Sequence, residues 1–245
     1  MTLHVSRKNQ PLRDSDILPY DDGVPMETMQ HRRQMNLLID TLKPYLAEQG
    51  VKAYVAGNNF LYYQKGKPPK FCGPDFYVVL GREDVGQLSY VVWEEDNRFP
   101  DVIIELISES TESVDRGAKF IRYRDLFKTR EYFLYNPLSK ELEGYRLEAD
   151  RYLAINPTNG IFSCQALDLS LAVRGSWLRW QRRDGAILPT GDELAEEERE
   201  RAEEERERAE EERERAEKER ERAQRAEEEV ARLRAELEAV RRSSL

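Results

Sequence analysis

Residues 99–111 read FPDVIIELISEST, and the run Asp101–Ile107 (DVIIELI) within them decides the fold. A strand this apolar on both faces suits the centre of a sheet covered by helices. One charge interrupts it. Glu105 stands between Ile103, Ile104, Leu106 and Ile107, and burying a carboxylate costs roughly several kcal/mol unless it is paired or metal-bound. The strand that defines the core therefore also carries the residue most in need of a chemical explanation.

Working outward, Asp75–Leu80 (DFYVVL) is a second strand, and Ala53–Tyr63, rich in Val, Phe, Leu and Tyr, reads as another. Between them QKGKPPKFCG (Gln64–Gly73) reads as a basic turn, and Gly81–Phe99 is a polar connection. A helix is expected from Met26 to Glu48, with Met29, Met35, Leu38, Leu42 and Leu46 on one apolar stripe and Gly50 as terminator. A second helix is expected over Val114–Phe127, after the polar turn Ser108–Asp115. Glu131–Tyr135 (EYFLY) is a strand, followed by antiparallel pieces at Leu142–Leu147, Arg151–Ile155, Leu167–Val173 and Ser176–Gln181. The expected architecture is an irregular arm (1–25), an α/β body with a mixed central sheet flanked by helices (26–190), and a charged helical tail (191–245).

Charge separates tail from body. The chain of 245 residues has net charge −9, yet residues 192–245 alone hold 22 acidic and 14 basic side chains, which leaves the body near neutrality. Local patches, not the total, then decide its partners. Cys72 and Cys164 are the only cysteines, and His4 and His31 the only histidines, so a Cys/His zinc site is excluded and a disulfide framework is not expected. No apolar run is long enough to span a bilayer and no apolar signal core opens the chain; a cytoplasmic protein without membrane partners is expected. GxSxG, GxxxxGK[ST] and GxGxxG are all absent, removing the chemistries those loops serve.

Geometry selects the partner of Glu105. Asp101 lies on the same strand face but about 13 Å away at about 3.3 Å per residue, too far to share one ion. If the second and third strands run antiparallel, Asp75 at the start of one meets Glu105 in the later half of the other. Two carboxylates so placed could hold Mg²⁺ or Mn²⁺. The alternatives are plain ones: Asp75 as a turn cap, Glu105 paired with Arg122, Lys119 solvated on a helix, and Asp101 anchoring its strand.

Asp, then a carboxylate on the neighbouring strand, then a nearby lysine resembles the PD-(D/E)xK nuclease superfamily. The likeness is closer to its Uma-two family of restriction-endonuclease-like proteins. It rests on GPDFYVVLG (Gly73–Gly81), FPDVIIELISEST (Phe99–Thr111) and DRGAKFIRYRDLFKTREYFLYNP (Asp115–Pro137), and extends to DGAILPT (Asp184–Thr190) and the charged tail. One departure stands out: Ile107 occupies the place of the lysine in ExK. The resemblance implies that Lys119 supplies that amine from the helix, orienting or activating the attacking water. It further implies Mg²⁺ or Mn²⁺ on Asp75, Glu105 and the carbonyl of Leu106, with DNA as substrate. Glu27 or His31 of the first helix would be placed to join, as first-helix carboxylates do in related nucleases. Lys65, Lys67 and Lys70 before Asp75, with Arg116 and Arg122 on the second helix, form a patch able to neutralise phosphates.

The tail is a heptad repeat, with AEEERER starting at Ala195, Ala202 and Ala209. With Ala at a, position d holds Glu198, Glu205 and Glu212, so there is no seam to bury. Glu197–Arg201, Glu204–Arg208 and Glu211–Arg215 fall at i,i+4 in the favourable orientation. Only Ala226, Val230, Leu233, Leu237 and Val240 resemble a dimerising seam. The reading that rivals a nuclease is an interaction protein: the same scaffold without catalysis, with the tail recruiting a protein partner or a second copy.

Overall fold

The computed structural model describes residues 13–19, 28–108 and 112–243. The arm is not wholly irregular: it carries one helical turn, α1 (Asp14–Ile17). Helix α2 (Met29–Glu48) starts at Thr28, whose hydroxyl accepts the His31 N–H at 3.1 Å. The expected start at Met26 lies outside the described residues. Met29 is 63% exposed, so it leaves the apolar stripe, whereas Met35, Leu38, Leu42 and Leu46 are buried.

The expected strand Ala53–Tyr63 is two strands, β1 (Ala53–Ala56) and β2 (Leu61–Gln64). The chain turns between them at Asn58, whose φ of 51° lies in the left-handed region that Asn tolerates. The basic stretch read as a turn contains β3 (Lys70–Cys72), which pairs with β2. There follow β4 (Phe76–Leu80), β5 (Tyr90–Val91) and β6 (Val102–Leu106). Helix α3 (Glu112–Val114) continues in π-helical turns over Asp115–Lys119 and Arg122–Phe127. The body closes with β7 (Glu131–Tyr135), β8 (Leu142–Glu148), β9 (Arg151–Ala154), β10 (Ile161–Cys164), β11 (Leu169–Arg174) and β12 (Trp177–Gln181).

The central sheet runs β1-β4-β6-β7-β8-β9 and is antiparallel except between β6 and β7. The fold is thus mixed α/β. A parallel pair needs a crossover, and the helical segment 112–127 provides it. Strand alternation divides the core in two. Phe76, Val78, Val102, Ile104 and Phe133 pack with α2 and the small sheet β10-β11-β12. Tyr77, Val79, Ile103, Tyr132 and Leu134 pack with Tyr123 and Phe127 of the crossover. Gln34, fully buried, ties α2 to β12 as a backbone would: its Nε2 donates to the Leu178 carbonyl and its Oε1 accepts the Leu178 N–H, both at 2.9 Å.

The remaining unit is α4 (Gly191–Ser243), 53 residues of helix. The pairs Glu197–Arg201, Glu204–Arg208 and Glu211–Arg215 form at 3.4, 3.3 and 3.5 Å on exposed surface. Each is worth roughly 0.2–0.5 kcal/mol, and together they support a helix whose described side chains are exposed. Leu233, Leu237 and Val240 of the expected seam lie outside the described side chains.

Candidate active site

The register of β4 against β6 pairs Phe76 with Ile104 and Val78 with Val102, so Asp75, one residue before β4, comes level with Glu105. The Asp75 N–H donates to Glu105 Oε2 at 3.2 Å, and Asp75 Oδ2 accepts the Leu106 N–H at 2.8 Å. Backbone and side chain therefore cross-link the two strand ends. A second constraint comes from β1. Gly57 passes so close that a Cβ there would collide with the Asp75 carbonyl oxygen, and the Asn58 N–H donates to the Pro74 carbonyl at 3.0 Å.

Glu105 is fully buried, and three groups meet its two oxygens. The Tyr123 hydroxyl donates to Oε1 at 2.7 Å, while Oε2 faces both the Asp75 N–H and the Lys119 ammonium, the latter at 3.2 Å. Lys119 Nζ also lies 2.7 Å from Oδ1 of buried Asp115. Asp115, Lys119 and Tyr123 recur every fourth residue, which brings all three to the sheet side of the crossover. His31 Nε2 stands 3.1 Å from Asp75 Oδ1. The Asp75 side chain keeps 19% of its surface open, against 0% for Glu105.

Electrostatics follow from this packing. Burial pushes the Glu105 carboxyl up to about 8 against the pull of Lys119, with Asp75 and Asp115 adding to the rise. Burial also pulls Asp75 upward, but His31, Lys119 and the Leu106 N–H outweigh it and hold that carboxyl below its ordinary value. Lys119 is raised: burial lowers it, but Glu105, Asp115 and Asp75 overcome that loss and keep the amine charged.

Asp75, Glu105 and Lys119, singled out from the sequence, thus come together. Leu106 is there as well, through its N–H. His31 joins them, whereas Glu27 lies outside the described residues. Arg122 does not pair with Glu105; its guanidinium lies over the Tyr63 ring at 5.4 Å. Arg116 is held by Glu112 at 2.8 Å and by both oxygens of Glu143 at 2.7 Å, which neutralises much of its charge locally. Lys65 approaches Asp14 at 3.6 Å, while Lys67 and Lys70 stay on the exposed β2–β3 hairpin. Asp101 anchors its strand by accepting the Leu80 N–H at 2.8 Å. Asp115 and Tyr123 escaped the sequence reading; the spacing D-x-x-x-K-x-x-x-Y around Lys119 was the available signal.

Asp75 and Glu105 are oxygen donors, the type that hard divalent cations take. Glu105 and Asp115 face the Lys119 ammonium, and Asp75 faces the His31 imidazole. Among the described residues no group of three His, Cys, Asp or Glu side chains converges on one point. Mg²⁺ accepts one or two carboxylates and retains water, so two suffice.

Residues 13–174 match the model of the Uma2 family, described as "Putative restriction endonuclease". Among solved structures, the chain is similar to a putative nuclease belonging to DUF820 from Anabaena variabilis ATCC 29413. The identity is 15% and the TM-score 0.43, over 58% of this chain and 76% of that one. No curated protein matches. No helix among the described residues is long and apolar enough to cross a membrane.

Proposed function

We propose that this chain, which belongs to the Uma2 family, is a divalent-metal-dependent phosphodiesterase that hydrolyses DNA. The observation that carries this reading is the meeting of Asp75, Glu105 and the Lys119 ammonium at one strand end, with the amine 3.2 Å from Glu105 Oε2. A lysine delivered by the crossover helix compensates for Ile107, where a lysine of the strand would otherwise stand.

Asp75 and Glu105 would hold Mg²⁺ or Mn²⁺, with the Leu106 carbonyl as a third donor. Held there, such an ion would supply Lewis-acid polarisation of a phosphoryl oxygen and lower the pKa of a bound water. Tyr123 fixes Glu105 through Oε1, and His31 fixes Asp75 through Oδ1. Lys119, kept charged by its carboxylate neighbours, donates to the attacking water and offsets the charge that builds on the phosphate. Its raised pKa keeps the amine a cation in this cluster, which supports an electrostatic role.

One observation favours the rival reading, a non-catalytic interaction protein. Every Asp75 and Glu105 oxygen already has a partner within the protein. Calorimetric titration of the full chain with Mn²⁺ separates the two. The nuclease reading expects saturable binding that Asp75→Asn and Glu105→Gln weaken at least tenfold. A folded wild-type chain that takes up no Mn²⁺ selects the interaction protein.

A further inference from the structure

Phe71 is the one residue of β3 that is both aromatic and open, at 45% exposure. Its ring lies on that of Phe60, centroids 4.3 Å apart and planes inclined by 30°, with Tyr62 at 5.4 Å. Phe60 and Tyr62 are themselves buried, so the outer ring rests on a rigid base and turns one flat face to solvent. The hairpin that carries it is strongly one-sided in charge. Residues 61–74 contain no Asp or Glu and three lysines, Lys65, Lys67 and Lys70, in a chain with 48 acidic residues. No carboxylate pairs with Lys67 or Lys70 among the described residues, and Lys65 has only Asp14 at 3.6 Å.

A flat apolar ring amid uncompensated lysines calls for a ligand with flat apolar faces and a regular row of negative charges. Single-stranded DNA has both. In a duplex the base faces are hidden in the stack, and only an unpaired base can lie on a protein ring. Phe71 also precedes Asp75 by four residues, at most about 13 Å of chain, a distance that a few nucleotides span.

We infer that Phe71 is a stacking platform for an unpaired base of single-stranded DNA, with Lys67 and Lys70 on the neighbouring phosphates. This rests on the phosphodiesterase reading and narrows its substrate to single-stranded or locally unwound DNA.

The test is fluorescence anisotropy of a labelled fifteen-nucleotide oligo(dT) with the full chain in EDTA, beside a blunt duplex of equal length. Phe71→Ala is expected to weaken oligo(dT) binding about tenfold and leave duplex binding unchanged. Phe71→Trp is expected to retain binding, and Phe71→Leu, which keeps the contact with Phe60 without a flat face, to lose it with an unchanged thermal midpoint. Lys67→Ala with Lys70→Ala should weaken both ligands and flatten the salt dependence. Equal affinity of wild type and Phe71→Leu for oligo(dT), or equal losses on oligo(dT) and duplex, overturns the inference. Binding in EDTA is independent of cleavage. A chain that binds through Phe71 yet never cuts refutes the phosphodiesterase alone, and one that cuts without needing Phe71 refutes the platform alone.

Discussion

The Tyr123 hydroxyl donates to Glu105 Oε1 at 2.7 Å, joining the crossover helix to β6 through two buried side chains. This bond leaves Oε2 as the oxygen facing Lys119 and Asp75. Tyr123→Phe removes the donor without changing shape, and a buried carboxylate oxygen deprived of its partner costs about 1–3 kcal/mol. The expected outcome is a lower thermal midpoint with the fold retained by circular dichroism. An unchanged midpoint would show that Oε1 finds another donor.

The pH dependence of stability has a defined sign. The folded Glu105 carboxyl is raised to about 8 from an ordinary value of 4.5. Between those values the folded state binds the extra proton, so stability is fully present below about 4.5 and declines as pH rises toward about 8. Asp75 behaves oppositely: its lowered pKa contributes stability above 3.8 that is lost on acidification through the folded value. Urea unfolding of wild type and Glu105→Gln in EDTA checks this. The wild type should lose stability from pH 5 to 8 relative to the variant, and a pH-independent difference refutes the assignment.

Gly57→Ala tests the backbone that positions Asp75. A Cβ at this site collides with the Asp75 carbonyl oxygen, a backbone atom that cannot swing aside. The strand start must move, at an expected cost of about 1–3 kcal/mol. Metal affinity should fall although no ligand is replaced. Retention of both stability and Mn²⁺ affinity would show that the β1–β4 contact does not place the carboxylate.

How much of this was legible beforehand varies by residue. The apolar run Asp101–Ile107 announced a central strand; its antiparallel pairing with the strand after Asp75 was only a condition there, and the register of β4 against β6 meets it. The break between β1 and β2 was not legible, because Val, Tyr, Phe and Leu continue on both sides and one Asn in a left-handed conformation makes the turn. β10 is only four residues long, Ile161–Cys164, with a serine interrupting its apolar residues, and it is a strand because it pairs with β11 across the short turn 165–168. Tyr123 was hidden for a different reason. On a helix it reads as ordinary core, and only the position of Glu105 beneath it turns its hydroxyl into a ligand for the carboxylate.

Removal of residues 192–245 should leave the body with one cooperative thermal transition. Among the residues whose side chains are described, none beyond Leu188 belongs to the buried clusters, and α4 carries its own i,i+4 ion pairs. Differential scanning calorimetry of the truncated chain decides this, and loss of the transition would place the tail in the core. The isolated tail should lose part of its helical ellipticity in 1 M NaCl, as screening weakens exposed pairs.

The most direct measurement is conversion of supercoiled plasmid, and of an oligo(dT) substrate, by the purified full chain with Mg²⁺ or Mn²⁺, beside Asp75→Asn, Glu105→Gln and Lys119→Ala. The account predicts cleavage that EDTA abolishes and that falls at least a hundredfold in all three variants. Lys119→Ala alone should keep the Mn²⁺ affinity of the wild type, since its charge acts on water and phosphate. Absence of cleavage on either substrate by a folded, metal-supplied wild-type chain, or equal cleavage by Glu105→Gln, would contradict the phosphodiesterase and leave the carboxylates as structural groups.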